Sequence, residues 1–403
     1  MSLDARRIVA AQGLRAAGYG LTAVLLGALL AARDYTPLRA GLVLGALVAG
    51  TAGASLLVGG VADRMGRRRC YVALFLGVAV AGAAVAAGAA FWVLLVVALT
   101  GLLSTDVVDN GPATTLEQTM LANEDTAAAG KAGARVYGSY NAVASLCGAA
   151  GALAATVPGR LGTSPASAWP FLVLVPIGLA GAVLAARLSP AVEAERGREP
   201  SGAEAATRGW NRLGPSRTHV RRLATLFAVD AAGGGLVTAS FLAYYLTERY
   251  HVPVGQLGVL FFATSLLQAA SVWLAPRLAD RVGLVPTMVG THLPSNVLLA
   301  SVAFATTFPV AVLLLLARTS LSQMDVPTRQ ALVMSVVEPS ERTAAAAVTN
   351  AARYTVRPFG PLFGGLLQQV ALGLPLVVAG VVKGGYDLAL WRWSGRLPSS
   401  DTD

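Results

Sequence analysis

Charged side chains set inside long apolar stretches carry whatever chemistry this sequence performs. A carboxylate or guanidinium in lipid is costly unless it meets a partner or a water-filled cavity, so each one is a candidate for carrying a proton or gripping a substrate. Asp106, Asn110 and Glu117 fall on one helical stripe at spacings of four and seven, with Asp109 beside it. Arg318, Ser322, Asp325 and Arg329 make a second stripe, and Asn350, Arg353 and Arg357 a third. Near the N-terminus stand Gln12, Arg15, Tyr19 and Thr22. Asp230 is the one acid in its stretch, and Gly233-Gly234-Gly235 follow it, where backbone can bend or be approached closely. A carboxylate that loses its cationic partner in a low-dielectric site takes up a proton, which is the chemistry of coupling. The plain alternative is a static ion-pair network, with Asp325 paired to Arg353 or Arg357 and Asp230 paired to Arg15. Lys383 and Asp387, at i,i+4, form an expected self-neutralising structural pair. Glu117, near the end of its stretch, suits a gate or an interface.

Other chemistries find no support. Cys70 and Cys147 are far apart and His219, His251 and His292 are scattered, so no metal site and no cofactor are expected. The sequence contains no H-E-x-x-H or G-x-S-x-G, hence no enzyme is expected, and no G-x-x-x-x-G-K-[ST] that would bind a nucleotide. Work done by this chain must draw on a gradient.

The elements that position these residues follow from composition. Hydrophobic residues make up 55% and charged residues 13% of the 403, and the mean hydropathy is +0.61, so lipid is the solvent. Apolar runs long enough to span a bilayer fall at about 8–32, 40–62, 70–90, 91–121, 128–157 and 168–188, then at 221–247, 254–279, 284–307, 309–337, 343–371 and 372–391. The expected fold is all-α, with twelve transmembrane helices in two six-helix bundles, 1–188 and 221–391, a cytoplasmic linker at 189–220 and a cytoplasmic tail at 392–403. Eight arginines against four glutamates from Arg187 to Arg222, with four more arginines at 64–69, place the linker and both termini on the cytoplasmic side of an inner membrane. Arg6 and Arg7 before a long apolar stretch read as the start of an uncleaved first helix. The net charge of +10 has no aromatic-interleaved basic face, so no nucleic-acid partner is expected. The expected partners are a small-molecule substrate, protons and the bilayer, and the expected state is a monomer. Gly41 and Gly45, Gly360 and Gly364, and Gly380 and Gly384 have the spacing of close helix packing.

The chain is also internally duplicated. Ala-Asp-Arg-x-Gly occurs at 62–66 and again 217 residues later at 279–283. The same offset superimposes Thr126-Ala127-Ala128-Ala129 on Thr343-Ala344-Ala345-Ala346, Tyr137 on Tyr354, and Gly148 on Gly365. The first copy lies in a short turn between two apolar runs and reads G-x-x-x-D-R-x-G-R-R, with Gly59, Asp63, Arg64, Gly66, Arg67 and Arg68 in place. It resembles the loop signature of the major facilitator superfamily, with a weaker copy at Asp280, Arg281 and Gly283, where Pro276 stands at the first glycine.

The resemblance implies a central cavity lined by the first, fourth, seventh and tenth helices. It also implies a cytoplasmic gate in which Asp63 caps the eleventh helix near Thr343 and Asp280 the fifth near 127–131. Two family patterns differ here: Leu99-Thr100-Gly101-Leu102 lacks the arginine of many drug–proton antiporters, and a near match to their fifth-helix glycine signature sits instead at Gly360 to Gly365. The function implied is a secondary active transporter working by alternating access as a proton-coupled exporter. Proton-coupled uptake of a metabolite and a non-transporting membrane sensor are the alternatives. The substrate and proton pathway expected is Arg15, Asp106, Asp109, Asp230, Asp325, Arg329, Arg353 and Arg357.

Overall fold

The computed structural model describes residues 2–88, 90–106, 111–125, 131–193, 210–211, 213–338 and 341–395, with backbone alone at 59–60, 63, 122–125, 131–138 and 343. The described elements are helical, and nine segments among them are long and apolar enough to cross a bilayer. They form two compact units.

The first unit comprises Met1–Gly202, Thr238–Leu266 and Pro361–Val370. It contains α1 (Leu3–Ala32), α2 (Pro37–Met65), α3 (Arg67–Ala87), α4 (Phe91–Leu99), α5 (Pro112–Asp125), α6 (Lys131–Ala154), α7 (Thr156–Arg160) and α8 (Leu174–Ala186). Its core gathers Ile8, Tyr71, Phe75, Leu116, Met120 and Tyr140. The α1–α6 crossing depends on missing side chains: a Cβ on Gly20 would overlap the Gly148 carbonyl, and one on Gly151 the Ala17 carbonyl.

Two later segments pack into the same unit, so the compact units do not follow the boundaries 1–188 and 221–391. Ser240 opens α10 (Ala239–Tyr250; α9 belongs to the second unit) and donates its hydroxyl to the Ala23 carbonyl at 2.9 Å. A Cβ on Gly27 would strike the Ser240 carbonyl. Gly41 lies against Gly365, whose Cα is 2.8 Å from where its Cβ would be, and Gly258 against the Ala152 carbonyl at 2.7 Å.

The second unit comprises Ala203–Val237, Leu267–Gly360 and Ala371–Asp403. It holds α9 (Arg217–Gly235), the C-terminal part of α11 (Val254–Val282), α12 (Leu284–Val302), α13 (Phe308–Ser322), α14 (Asp325–Ser335), α15 (Arg342–Val356) and α17 (Leu374–Ser394); α16 (Phe359–Val370) starts in it and continues into the first. Its core gathers Val220, Phe227, Met288, Leu332, Tyr386 and Trp393.

Several crossings read as continuous are broken. The fourth stops at Leu99 and resumes at Pro112. Gly101 turns the chain at φ 69°, and Pro112 has no N–H to bond backward, so it suits a helix start. Asp106 therefore lies in the connecting segment and shares no helical stripe with Glu117, while Asp109 and Asn110 lie outside the described residues. The seventh breaks between Gly235 and Ala239, where the Thr238 hydroxyl caps α10 by accepting from the Phe241 N–H at 3.2 Å. The tenth breaks at 323–324, because the ring of Pro327 excludes a helical carbonyl at Gln323. The eleventh breaks at Arg357-Pro358.

The duplicated turns share one device. Gly66 between α2 and α3 has φ 92°, and Gly283 between α11 and α12 has φ 95°, a region that disfavours any side chain. Glu193 accepts from the N–H groups of Arg67 (2.7 Å) and Arg68 (3.0 Å), placing a carboxylate at the positive end of α3. Glu341 does the same before α9, accepting from the N–H groups of Gly214 and, at 3.1 Å, Ser216. These bonds, with that of the Ser216 side chain, hold the Glu341 carboxyl below its ordinary range.

Candidate functional site

Each unit buries one cluster of charged side chains. In the first unit the cluster is built on α1, α3, α5 and α6. Arg15 is 2% exposed and Glu117 0%, and they pair directly: Arg15 Nη2 donates to Glu117 Oε2 at 2.7 Å. The same nitrogen donates to Gln12 Oε1 (3.1 Å) and Thr114 Oγ1 (3.0 Å). Glu117 also accepts from the hydroxyls of Tyr71 at 2.6 Å and Tyr140 at 2.5 Å, so both of its oxygens are satisfied. The Tyr19 ring lies 5.3 Å from the Arg15 guanidinium carbon. Arg15 Nε and Nη1 are buried with no hydrogen-bond partner among the described residues. They belong to a residue that lines a small cavity with Tyr19, Phe75, Leu102 and Pro112.

In the second unit the cluster is built on α9, α12, α14 and α17. Asp230, 4% exposed, accepts from Lys383 Nζ on Oδ1 at 2.5 Å and from Arg329 Nη1 on Oδ2 at 3.4 Å. Arg329 also donates to Asp325 Oδ2 at 2.8 Å. His292 stands between two carboxylates, with Nε2 3.8 Å from Asp230 Oδ1 and Nδ1 2.8 Å from Asp387 Oδ1. Asn296 Nδ2 donates to the other oxygen of Asp387 at 2.8 Å.

Local sequence explains the reach of these groups. A Cβ on Gly233 would stand 2.7 Å from Lys383 Cγ, so the glycines after Asp230 clear room for the lysine stem. A Cβ on Gly235 would meet the Arg357 carbonyl at 2.6 Å, which makes that glycine the point where α15 and α16 approach α9. Gly380 lies 2.7 Å, measured from its missing Cβ, from the Asn296 carbonyl, and that close approach brings Asp387 to His292 and Asn296.

These contacts correct three expected pairings. Arg15 pairs with Glu117, and Asp230 pairs with Lys383 and Arg329, in place of an Arg15–Asp230 bridge. Asp325 pairs with Arg329, one turn along α14, and not with Arg353 or Arg357. Lys383 and Asp387 do not form the expected mutual bridge; the lysine reaches Asp230 and the aspartate reaches His292. The reason is common to all: a buried ion must meet an opposite charge or a hydrogen-bonding partner, and helix packing decides which one, wherever it lies in sequence.

Of the expected pathway residues, Arg15 enters the first cluster and Asp230, Asp325 and Arg329 the second. Arg353 is half-buried on α15, with its Nε unbonded among the described residues. Arg357 sits at the α15 C-terminus and Asp106 in the α4–α5 connection. Asp109 lies outside the described residues, as do the Asp63 side chain, residues 126–130 and the Thr343 side chain, on which the expected gate contacts fall. Gly59 lies within α2, and Arg64 is exposed on its last turn. Asp280 and Arg281 are exposed on the last turn of α11, ahead of Gly283. The residues that sequence reasoning passed over are Tyr71, Tyr140, His292 and Asn296. A signal for the last two existed: Thr287, Thr291, His292, Ser295 and Asn296 put a polar face on a helix of membrane-crossing length.

The comparisons agree with this architecture. The sequence model of the Major Facilitator Superfamily matches residues 8–361 and 223–398. An uncharacterized membrane protein of Saccharomyces cerevisiae is 26% identical over 399 residues, covering 91% of this chain and 88% of the yeast protein. The crystal structure of the nucleoside transporter NupG superimposes with a TM-score of 0.73 at 12% identity, over 98% of this chain and 100% of that one. A bacterial homolog of the human lysosomal transporter Spinster, inward-facing and unoccupied, gives 0.73 at 15% identity over 98% of each chain. Such identities establish the fold, not the substrate. With twelve crossings, a duplicated loop signature and a family match along nearly its whole length, this multi-pass membrane protein belongs to the Major Facilitator Superfamily of transporters.

Proposed function

We propose that the protein is a proton-coupled secondary transporter that exports a small molecule across the cytoplasmic membrane by alternating access, as a monomer with both termini inside. The observation that carries this reading is the state of Asp230. It is a buried carboxylate beside a helix break, held by two separate cations, Lys383 and Arg329. A carboxylate so held is ionised, and movement that takes a cation from it makes it a proton acceptor. That exchange is what coupling requires. Helices interrupted near a charged cluster are how transporters of this kind build sites at mid-membrane. Export is chosen from the base rates of the family alone, by analogy.

Alternating access draws support from the glycine crossings of the first unit. Gly27 with Ser240, Gly41 with Gly365, and Gly258 with Ala152 join helices of the two sequence halves. All lie at the helix ends away from the 63–69 turn. We read them as the closed outer gate, and the duplicated Asp63 and Asp280 turns as parts of the inner one, with the halves 1–188 and 221–391 as the moving bodies.

A growth screen of a deletion strain against a panel of toxicants, followed by flux of the active compounds into inverted vesicles, tests the reading. Asp230→Asn should abolish accumulation driven by a pH gradient while counterflow exchange of the same compound survives. Full accumulation in that variant would make Asp230 structural.

A further inference from the structure

We propose that His292 is a proton-relay residue: its imidazole takes up a proton at Nε2 and hands it to Asp230, while Asp387, itself held by Asn296, keeps the ring in the tautomer that leaves Nε2 open. The inference deepens the proton-coupled reading above and rests on it for its purpose, though not for its chemistry.

The tautomer follows from the bonds. Asp387 Oδ1 lies 2.8 Å from His292 Nδ1, and its Oδ2 already accepts from Asn296 at 2.8 Å. Asn296 Nδ2 also lies 3.2 Å from Nδ1, but the carboxylate is nearer and, ionised, only accepts, so the proton between it and the ring sits on Nδ1. The neutral ring then turns an Nε2 lone pair toward Asp230 Oδ1 at 3.8 Å. Two acceptors facing each other in a site 3–4% exposed is a poor arrangement. One proton on Nε2 makes the facing groups a cation and an anion 3.8 Å apart, which become a charge-assisted hydrogen bond when they draw together.

Charge balance points the same way. Among the groups in direct contact are three carboxylates (Asp230, Asp325, Asp387) and two cations (Lys383, Arg329). A protonated His292 brings these directly contacting groups to neutrality, with Arg353 on α15 acting on Asp230 and Asp325 from farther off. Of the elements packed on α12, α17 supplies Lys383, Asp387 and Tyr386, whose ring centroid is 6.1 Å from that of His292. From α14 come Asp325 and Arg329, and α13 carries Arg318, whose Nε has no hydrogen-bond partner among the described residues. Arg353, on α15, packs against α9 rather than α12.

In the transfer step the Nε2–H bond of the imidazolium breaks and an O–H bond forms on Asp230. A cation and an anion become a neutral pair, and no electron changes hands. Lys383 and Arg329 are then left facing Asp325 and Asp387, two charges against two. Lys383 competes with the proton for the same oxygen of Asp230, so its departure is the event that lets the proton cross.

The chain has three histidines, so nitrogen-15 histidine NMR of the full-length protein in nanodiscs can resolve His292 once His219 and His251 are identified by substitution. The wild-type ring should be the Nδ1–H tautomer at alkaline pH and doubly protonated at acid pH. At a fixed intermediate pH, Asp230→Asn should lower the ratio of doubly to singly protonated ring about tenfold, and Lys383→Met should raise it by a similar factor. An Nε2–H tautomer in the wild type overturns the proposal without any variant, as does a ratio that neither substitution moves. These readouts need no substrate. A relay seen by NMR in a protein that moves no compound would sink the transport reading and leave the relay standing; flux with an inert His292 would do the reverse.

Discussion

Glu117 shows how a buried ion pair in this molecule is made tolerable. Arg15, Tyr71 and Tyr140 share its two oxygens, so the carboxylate has no unsatisfied side. Removing one partner leaves the other charge stranded. Glu117→Gln should therefore destabilise the purified protein by about 3–5 kcal/mol, whereas the double change Arg15→Met with Glu117→Leu should cost less than either single change. Thermal unfolding in detergent measures all of these. Glu341 offers a pH-dependent counterpart outside the membrane-spanning segments. Its carboxyl is depressed in the folded state, so its contribution is present above the unfolded carboxyl range and is lost as pH falls through the folded value. Wild type and Glu341→Gln should then differ in melting temperature near neutral pH and converge in acid. At this scale the positions of the buried charges were legible in sequence, because a charge in an apolar run is conspicuous. Their partners were not. Arg15 and Glu117 are 102 residues apart and Asp230 and Lys383 are 153 apart, while helical spacing reports on neighbours within a turn or two.

Helix breaks decide where those charges end up. Pro112, Pro327 and Pro358 each stand at an interruption that hydropathy reads through, because a proline changes the backbone without lowering the apolar count. This is why hydropathy reads the fourth and tenth crossings as continuous and why helical spacing puts Asp106 and Asn110 on a stripe with Glu117. Glycines divide into two kinds that sequence does not separate. Gly20 and Gly151 pack α1 on α6 within one sequence half, and Gly41 packs α2 on a helix of the other half. Gly151→Val should lower the yield of monodisperse protein. Gly41→Val should leave the yield near normal and open the crossing with Gly365. In a Cys70→Ser, Cys147→Ser background, a cysteine at Tyr35 should then react faster with a membrane-impermeant maleimide. Unchanged labelling would remove Gly41 from the outer gate.

For the whole molecule, the repeat read from Ala-Asp-Arg-x-Gly reappears in space. Gly66 and Gly283 take the same left-handed turn, and Ala23 and Ser240, which touch, are themselves separated by the repeat offset of 217. A contact between equivalent positions is what a two-fold relation between duplicated halves produces. The proposed topology predicts that a cysteine at Ser201 is labelled only from the cytoplasmic face. The polar face of α12 has a further consequence, for how the chain enters the bilayer at all. With Thr287, Thr291, His292, Ser295 and Asn296 on one helix, α12 is not among the segments apolar enough to cross by composition, and its anchor Asp387 is made 95 residues after His292. During synthesis this helix must wait beside the insertion machinery, or borrow the apolar surface of α13, until α17 arrives. In a host-protein insertion assay α12 should partition into the membrane poorly as a lone segment, better when followed by α13, and worse than α17 in both settings.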